Sequence, residues 1–209
     1  PALLWGVTVG NLMRGFAIDA DMNYWGGLIP LLNPYSLLAG IVFVTLFTTH
    51  GANFLALKLE GELAERAKKF GFQVWIAATV LTVLFVVWSF FETDIMVNGL
   101  IPAILAAITL LLAGWYAKSG KDGLAFIMTS LTIVFTTIMV FAGLFPRILI
   151  SSMDAAYTLN IYNAAASPYS LKVMTIVAAI FVPIVLIYQI WTYKVFSGRI
   201  KADPKTLIY

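Results

Sequence analysis

His50 is the only histidine in the chain, and it lies inside an apolar run longer than a bilayer is thick. An imidazole in that setting can take one of two parts. It can relay a proton, donating at one ring nitrogen and accepting at the other, or contact a cofactor. It can equally be a buried neutral ring hydrogen-bonded to a neighbouring helix. Asn53, Phe54 and Leu57 follow at helical spacings that place them on its face. No second histidine and no acidic residue lies within an apolar run, which favours the packing part. Thr129, Thr132 and Thr136 form a hydroxyl stripe at similar spacing. Such a stripe can carry a hydrogen-bond chain, but in membranes it more often joins helices. Thr45, Thr49, Ala52 and Ala56 make a small-residue stripe beside His50 that lets another helix come close.

Four further residues are candidate interface positions. Asn11 and Arg14 close the first apolar segment, where an amide at membrane depth needs a partner and a guanidinium can reach outward to water. Lys58 and Glu60 end the helix that holds His50. A lysine there complements the helix dipole, and Gly61 suits a helix stop.

Much chemistry is excluded. The absence of cysteine removes disulfides, Fe–S clusters, thiolate metal sites and a cysteine nucleophile. One histidine cannot supply a two-histidine haem or metal signature. No glycine-rich phosphate loop, nucleophile triad or carboxylate pair is present at membrane depth. A formal net charge of +3 is too small to suggest nucleic acid. The chain alone does not read as catalytic, and no metal site is expected.

The elements that must position these residues are membrane helices. Of 209 residues, 61% are hydrophobic and 11% charged, against about 25% charged in a soluble domain. Continuous apolar runs without period-two alternation favour helices over a barrel. The fold class expected is an all-α, polytopic transmembrane bundle: four helices, a peripheral helix and a partial N-terminal helix. Residues 1–18 are too short to span and read as the end of a truncated transmembrane helix. Residues 19–34 read as an external loop, 35–196 as a five-helix transmembrane domain, and 197–209 as a cytoplasmic tail. The spans expected are 35–58, 71–91, 97–117, 122–145 and 170–196. Between the first two, residues 59–70 are amphipathic, and a solvated charged turn is the preferred reading over a short surface helix.

Basic residues alternate between loops. Lys58, Arg66, Lys68 and Lys69 mark one loop, Lys118 and Lys121 another, and Lys194, Arg199, Lys201 and Lys205 the tail. The intervening loops are poor in them. By the positive-inside rule the 58–70 loop and the tail face the cytoplasm. Loops near 19–34, 92–96 and 146–169 then face outward.

Three stretches together carry a resemblance. WGVTVGNLMRG, LLNPYSLLAG and HGANFLALKLEGELAERA resemble subunit II of cytochrome bd-type quinol oxidases. The match runs from Pro1 to about Phe196, over the last two-thirds of the family's subunit. The family's first helices, which carry an acidic residue of a proton path and a quinone contact, lie outside it, so no site assignment follows. The resemblance implies a respiratory complex that oxidises quinol and reduces dioxygen to water. It places haem b, haem d and the quinol site in a partner, subunit I, and no directly bound cofactor in this chain. It also implies the plasma membrane of a bacterium or archaeon, contact with lipid, and a small single-helix accessory subunit as a further partner. The alternative from another class is a proton-coupled transporter or channel.

Overall fold

The computed structural model describes residues 1–196 and Gly198. Among these residues the fold is six α-helices with one small hairpin. The helices are α1 (Ala2–Arg14), α2 (Pro34–Lys58), α3 (Glu62–Glu92), α4 (Met96–Lys118), α5 (Asp122–Leu144) and α6 (Pro168–Val195). All but α1 are long and apolar enough to cross a membrane, so the chain is a multi-pass membrane protein. The expected tail, 197–209, lies outside the described residues except for Gly198.

Local chemistry sets the helix starts. Asn33 caps α2, its side-chain oxygen accepting from the Ser36 N–H at 2.9 Å, and Pro34 follows where no N–H is needed. Ser167 and Pro168 repeat the arrangement at α6, with Ser167 Oγ accepting from the Ser170 N–H at 3.3 Å.

The 59–70 segment corrects the expected charged turn. Only the residues around Gly61 break the helix, and Gly61 holds φ +67°, a left-handed conformation that glycine adopts without strain. From Glu62 onward α3 runs unbroken to Glu92. Glu62 and Glu65 lie in the first turn, where carboxylates suit the dipole. Glu62 pairs with Arg66 at 3.5 Å and Glu65 with Lys68 at 3.1 Å along the helix. Lys68 also reaches Asp122 at the start of α5, 3.0 Å away. The charges that suggested a loop are the surface of a helix.

Helices meet where side chains are small. An added Cβ at Gly6 or Gly10 of α1 would come within 2.7 or 2.8 Å of the α2 backbone at Ala39, Gly40 or Ser36. One at Gly71 of α3 would lie 2.9 Å from Ala52 Cβ. Gly99 of α4 sits against the Met139 carbonyl of α5, and Gly143 of α5 against Ile95 before α4. Lipid gives helices no hydrophobic reason to associate, so close backbone approach and interhelical hydrogen bonds hold them. A hydrophobic core centred on Met13, Tyr35, Phe85, Ile95, Met139 and Leu144 joins α1 through α5. Tyr35 is fully buried there, its hydroxyl 2.9 Å from Ser89 Oγ. Ser89 Oγ also lies 2.7 Å from the Phe85 carbonyl, which can only accept, so both bonds form together when Tyr35 donates to Ser89. By contrast α6 has no buried residue.

The two loops at the end opposite Gly61 close over the bundle together. Phe16 N–H donates to the Ile150 carbonyl and Ser152 N–H to the Phe16 carbonyl, each at 2.8 Å. Ser151 Oγ donates to the Ile18 carbonyl at 2.8 Å. The second loop contains an antiparallel hairpin, β1 (Arg147–Leu149) with β2 (Leu159–Asn160). Patterns of apolar length carry no sign of these two short strands.

Candidate functional site

His50 of α2 faces α5. Its ring stacks on Phe126 with centroids 4.6 Å apart and an interplanar angle of 20°. Nδ1 lies 2.9 Å from Thr129 Oγ1. Thr129 Oγ1 also lies 2.9 Å from the Phe126 carbonyl, which can only accept. Both bonds form together when Nδ1–H of His50 donates to Thr129. In a neutral ring Nε2 is then the bare acceptor. Phe54 lies on the same face and packs on the same Phe126 ring, centroids 5.8 Å apart. Asn53, expected there too, turns instead toward Gly71 of α3, because three residues fall short of a full helical turn.

The hydroxyl stripe of α5 divides its work. Thr129 is fully buried and meets His50; Thr132 is buried and meets Thr109 of α4 at 3.0 Å. Thr136 bonds its own helix, donating to the Thr132 carbonyl at 2.8 Å. In α2, Thr49, Ala52 and Ala56 are buried, with Ala52 against Gly71 of α3. Thr45 and Thr49 both donate to carbonyls of their own helix.

Asn11 is buried and fully partnered. Its amide donates to the Val7 and Leu31 carbonyls, both at 2.8 Å, and its oxygen accepts from Asn33 Nδ2 at 3.0 Å. It therefore ties α1 to the cap of α2. Arg14 does not simply extend to water: Nε donates to Glu92 Oε1 at 2.7 Å, and Trp88 Nε1 donates to Oε2 at 3.2 Å. This pair binds the end of α1 to the end of α3. Lys58 donates from Nζ to the Phe196 carbonyl at 2.6 Å, beyond the end of α6, and lies over the Phe54 ring. Glu60 stands in the turn between α2 and α3.

Sequence reasoning missed three links. Arg147 holds Asp94 through two hydrogen bonds, at 2.7 and 2.9 Å. That hydrogen bonding keeps the Asp94 carboxyl below the ordinary carboxylate range. Lys68 joins Asp122 as described. Trp75 of α3 lies over Gly114 of α4, and its Nε1 donates to the Leu110 carbonyl at 2.8 Å. The signals were present as a lone arginine in a basic-poor loop and a glycine near a helix end, but their partners are distant in sequence.

The arrangement can anchor helices and orient one imidazole. Among the described residues no three His, Cys, Asp or Glu side chains form a metal-holding group. The class defined by the fold is a multi-pass helical membrane protein. A family model for cytochrome bd terminal oxidase subunit II matches residues 1–196, and the chain belongs to that family. It is 37% identical to cytochrome bd ubiquinol oxidase subunit 2 of Bacillus subtilis over 99% of its own length and 62% of that protein's. Its identity to cytochrome bd-I ubiquinol oxidase subunit 2 of Escherichia coli is 31%, over 97% of this chain and 63% of the relative. A probable cytochrome oxidase subunit 2 of Haemophilus influenzae is 29% identical over the same shares. The chain thus spans somewhat under two-thirds of the length of these relatives. This family does not favour the transporter reading.

Proposed function

We propose that this chain is the membrane subunit of a cytochrome bd-type oxidase that holds no haem iron itself. It supports quinol oxidation coupled to reduction of dioxygen to water. The family match over residues 1–196 carries the reading. One histidine and no cysteine fall short of the usual pair of strong axial ligands, which leaves at most a single axial bond by counting. Haem b, haem d and the quinol site are assigned to the partner, subunit I.

The part played here is mechanical. The bundle presents apolar surface to subunit I, to lipid and to a small single-helix accessory subunit. The absence of any buried residue in α6 supports that reading. The membrane is the plasma membrane of a bacterium or archaeon, with the basic Gly61 end cytoplasmic by the positive-inside rule. Lys58 and Glu60 are proposed as partner contacts at that end and Arg14 at the other. Asn11 serves the chain's own packing. His50 positions α2 against α5; a proton relay is the alternative reading for this residue.

Affinity purification through a tag on the full subunit tests this. It should bring down a haem-bearing membrane partner and quinol-dependent dioxygen uptake. A chain that purifies from its native membrane without either would contradict the proposal.

A further inference from the structure

Many threonines in these helices follow one habit. Thr45, Thr49, Thr79, Thr109, Thr129, Thr132, Thr136 and Thr137 each donate to a carbonyl three or four residues back. Thr82 of α3 does not. Its Oγ1 is buried and has no hydrogen-bond partner. A buried hydroxyl without a partner loses its hydration and gains nothing in return. The Ala78 carbonyl, one turn back, would cure this by a rotation of one side-chain bond.

Thr82 also lines a cavity between α2, α3, α4 and α5. The cavity offers about 50 Å³ to water centres, where one water needs roughly 10–15 Å³. Apolar residues such as Phe43, Phe85 and Met139 make most of its wall. Thr132 and Thr136 supply the other polar atoms. Both have committed their hydrogens, Thr136 to the Thr132 carbonyl and Thr132 to Thr109 or the Met128 carbonyl. Their oxygen lone pairs remain open. Thr82 thus supplies a free donor and α5 supplies acceptors. A buried water typically makes about three such bonds.

We propose that this cavity is an internal water site, in which one water accepts from Thr82 Oγ1 and donates to Thr136 and Thr132 of α5. It joins α3 to α5 across the bundle. This assignment concerns the bundle's interior and stands whether or not the proposed oxidase function holds.

The test is a density map of the intact wild-type complex at a resolution that shows ordered water. A discrete peak within hydrogen-bond distance of Thr82 Oγ1 and at least one α5 hydroxyl is expected. An empty cavity with Thr82 turned onto the Ala78 carbonyl would overturn the site, as would elongated density of an apolar molecule. In the Thr82→Val complex the peak should vanish, and in Thr82→Ser it should remain. A peak that survives in Thr82→Val would show that Thr82 does not hold the water and would equally overturn the assignment. Should the valine variant fail to assemble, the wild-type map still decides.

Discussion

At His50 the ring is fixed by a hydrogen bond from Nδ1 and a stack on Phe126, and different substitutions probe the two. Asparagine places its amide near the Nδ1 position, whereas glutamine reaches toward Nε2. His50→Asn should therefore retain more thermal stability in the intact complex than His50→Gln. His50→Leu should lose about 0.5–1.5 kcal/mol, the net value of one hydrogen bond, because Thr129 keeps its bond to Phe126. If glutamine proved the better replacement, the donor would be Nε2 and the Thr129 assignment wrong. A stable His50→Asn complex with turnover lost at every pH would favour the relay over packing. Ala52 makes a second, steric test. It faces Gly71 so closely that Ala52→Leu should cost about 1–3 kcal/mol by overpacking. An unchanged melting temperature would place this stripe against lipid instead.

Among the elements, the hairpin loop depends on Arg147 and Asp94. The pair is partly exposed, with side-chain accessibilities of 26% for Arg147 and 60% for Asp94, so its removal in Asp94→Asn should cost only about 0.2–1 kcal/mol. The bound carboxylate has a lowered pKa. Its contribution is complete above the ordinary carboxylate value, ~3.9, and disappears as pH falls through the lower folded value. Protease nicking between residues 147 and 160 should rise at acid pH in the wild type. It should be higher in Asp94→Asn at neutral pH. Equal nicking of the two at neutral pH would contradict the clamp. Apolar length was enough to read all five spanning helices from the sequence, because a bilayer demands it. The starts at Asn33–Pro34 and Ser167–Pro168 follow equally local chemistry. The first nine residues of α3 were misread because lysines and glutamates look alike on a solvated turn and on a surface helix. The hairpin and the Lys68–Asp122 and Arg147–Asp94 pairs depend on partners brought together only by folding.

For the whole molecule, the alternation of basic loops was plain in the sequence, and it yields a topology that labelling can check. Single cysteines introduced at Ser119 and Ser152 should react from opposite sides of the membrane. Reaction of both from one side would overturn the proposed orientation. The site was less legible than the fold. His50 stood out by type, but only Thr129 and Phe126 show what it holds. Above all, the chain is proposed to support a haem-bearing partner without ligating iron. The most direct measurement compares the haem absorption of intact complexes carrying wild-type His50 and His50→Asn, both purified through this subunit. Both should show b- and d-type haem bands at the same ratio to protein. A colourless wild-type preparation, or the loss of one haem band from a fully assembled His50→Asn complex, would contradict it.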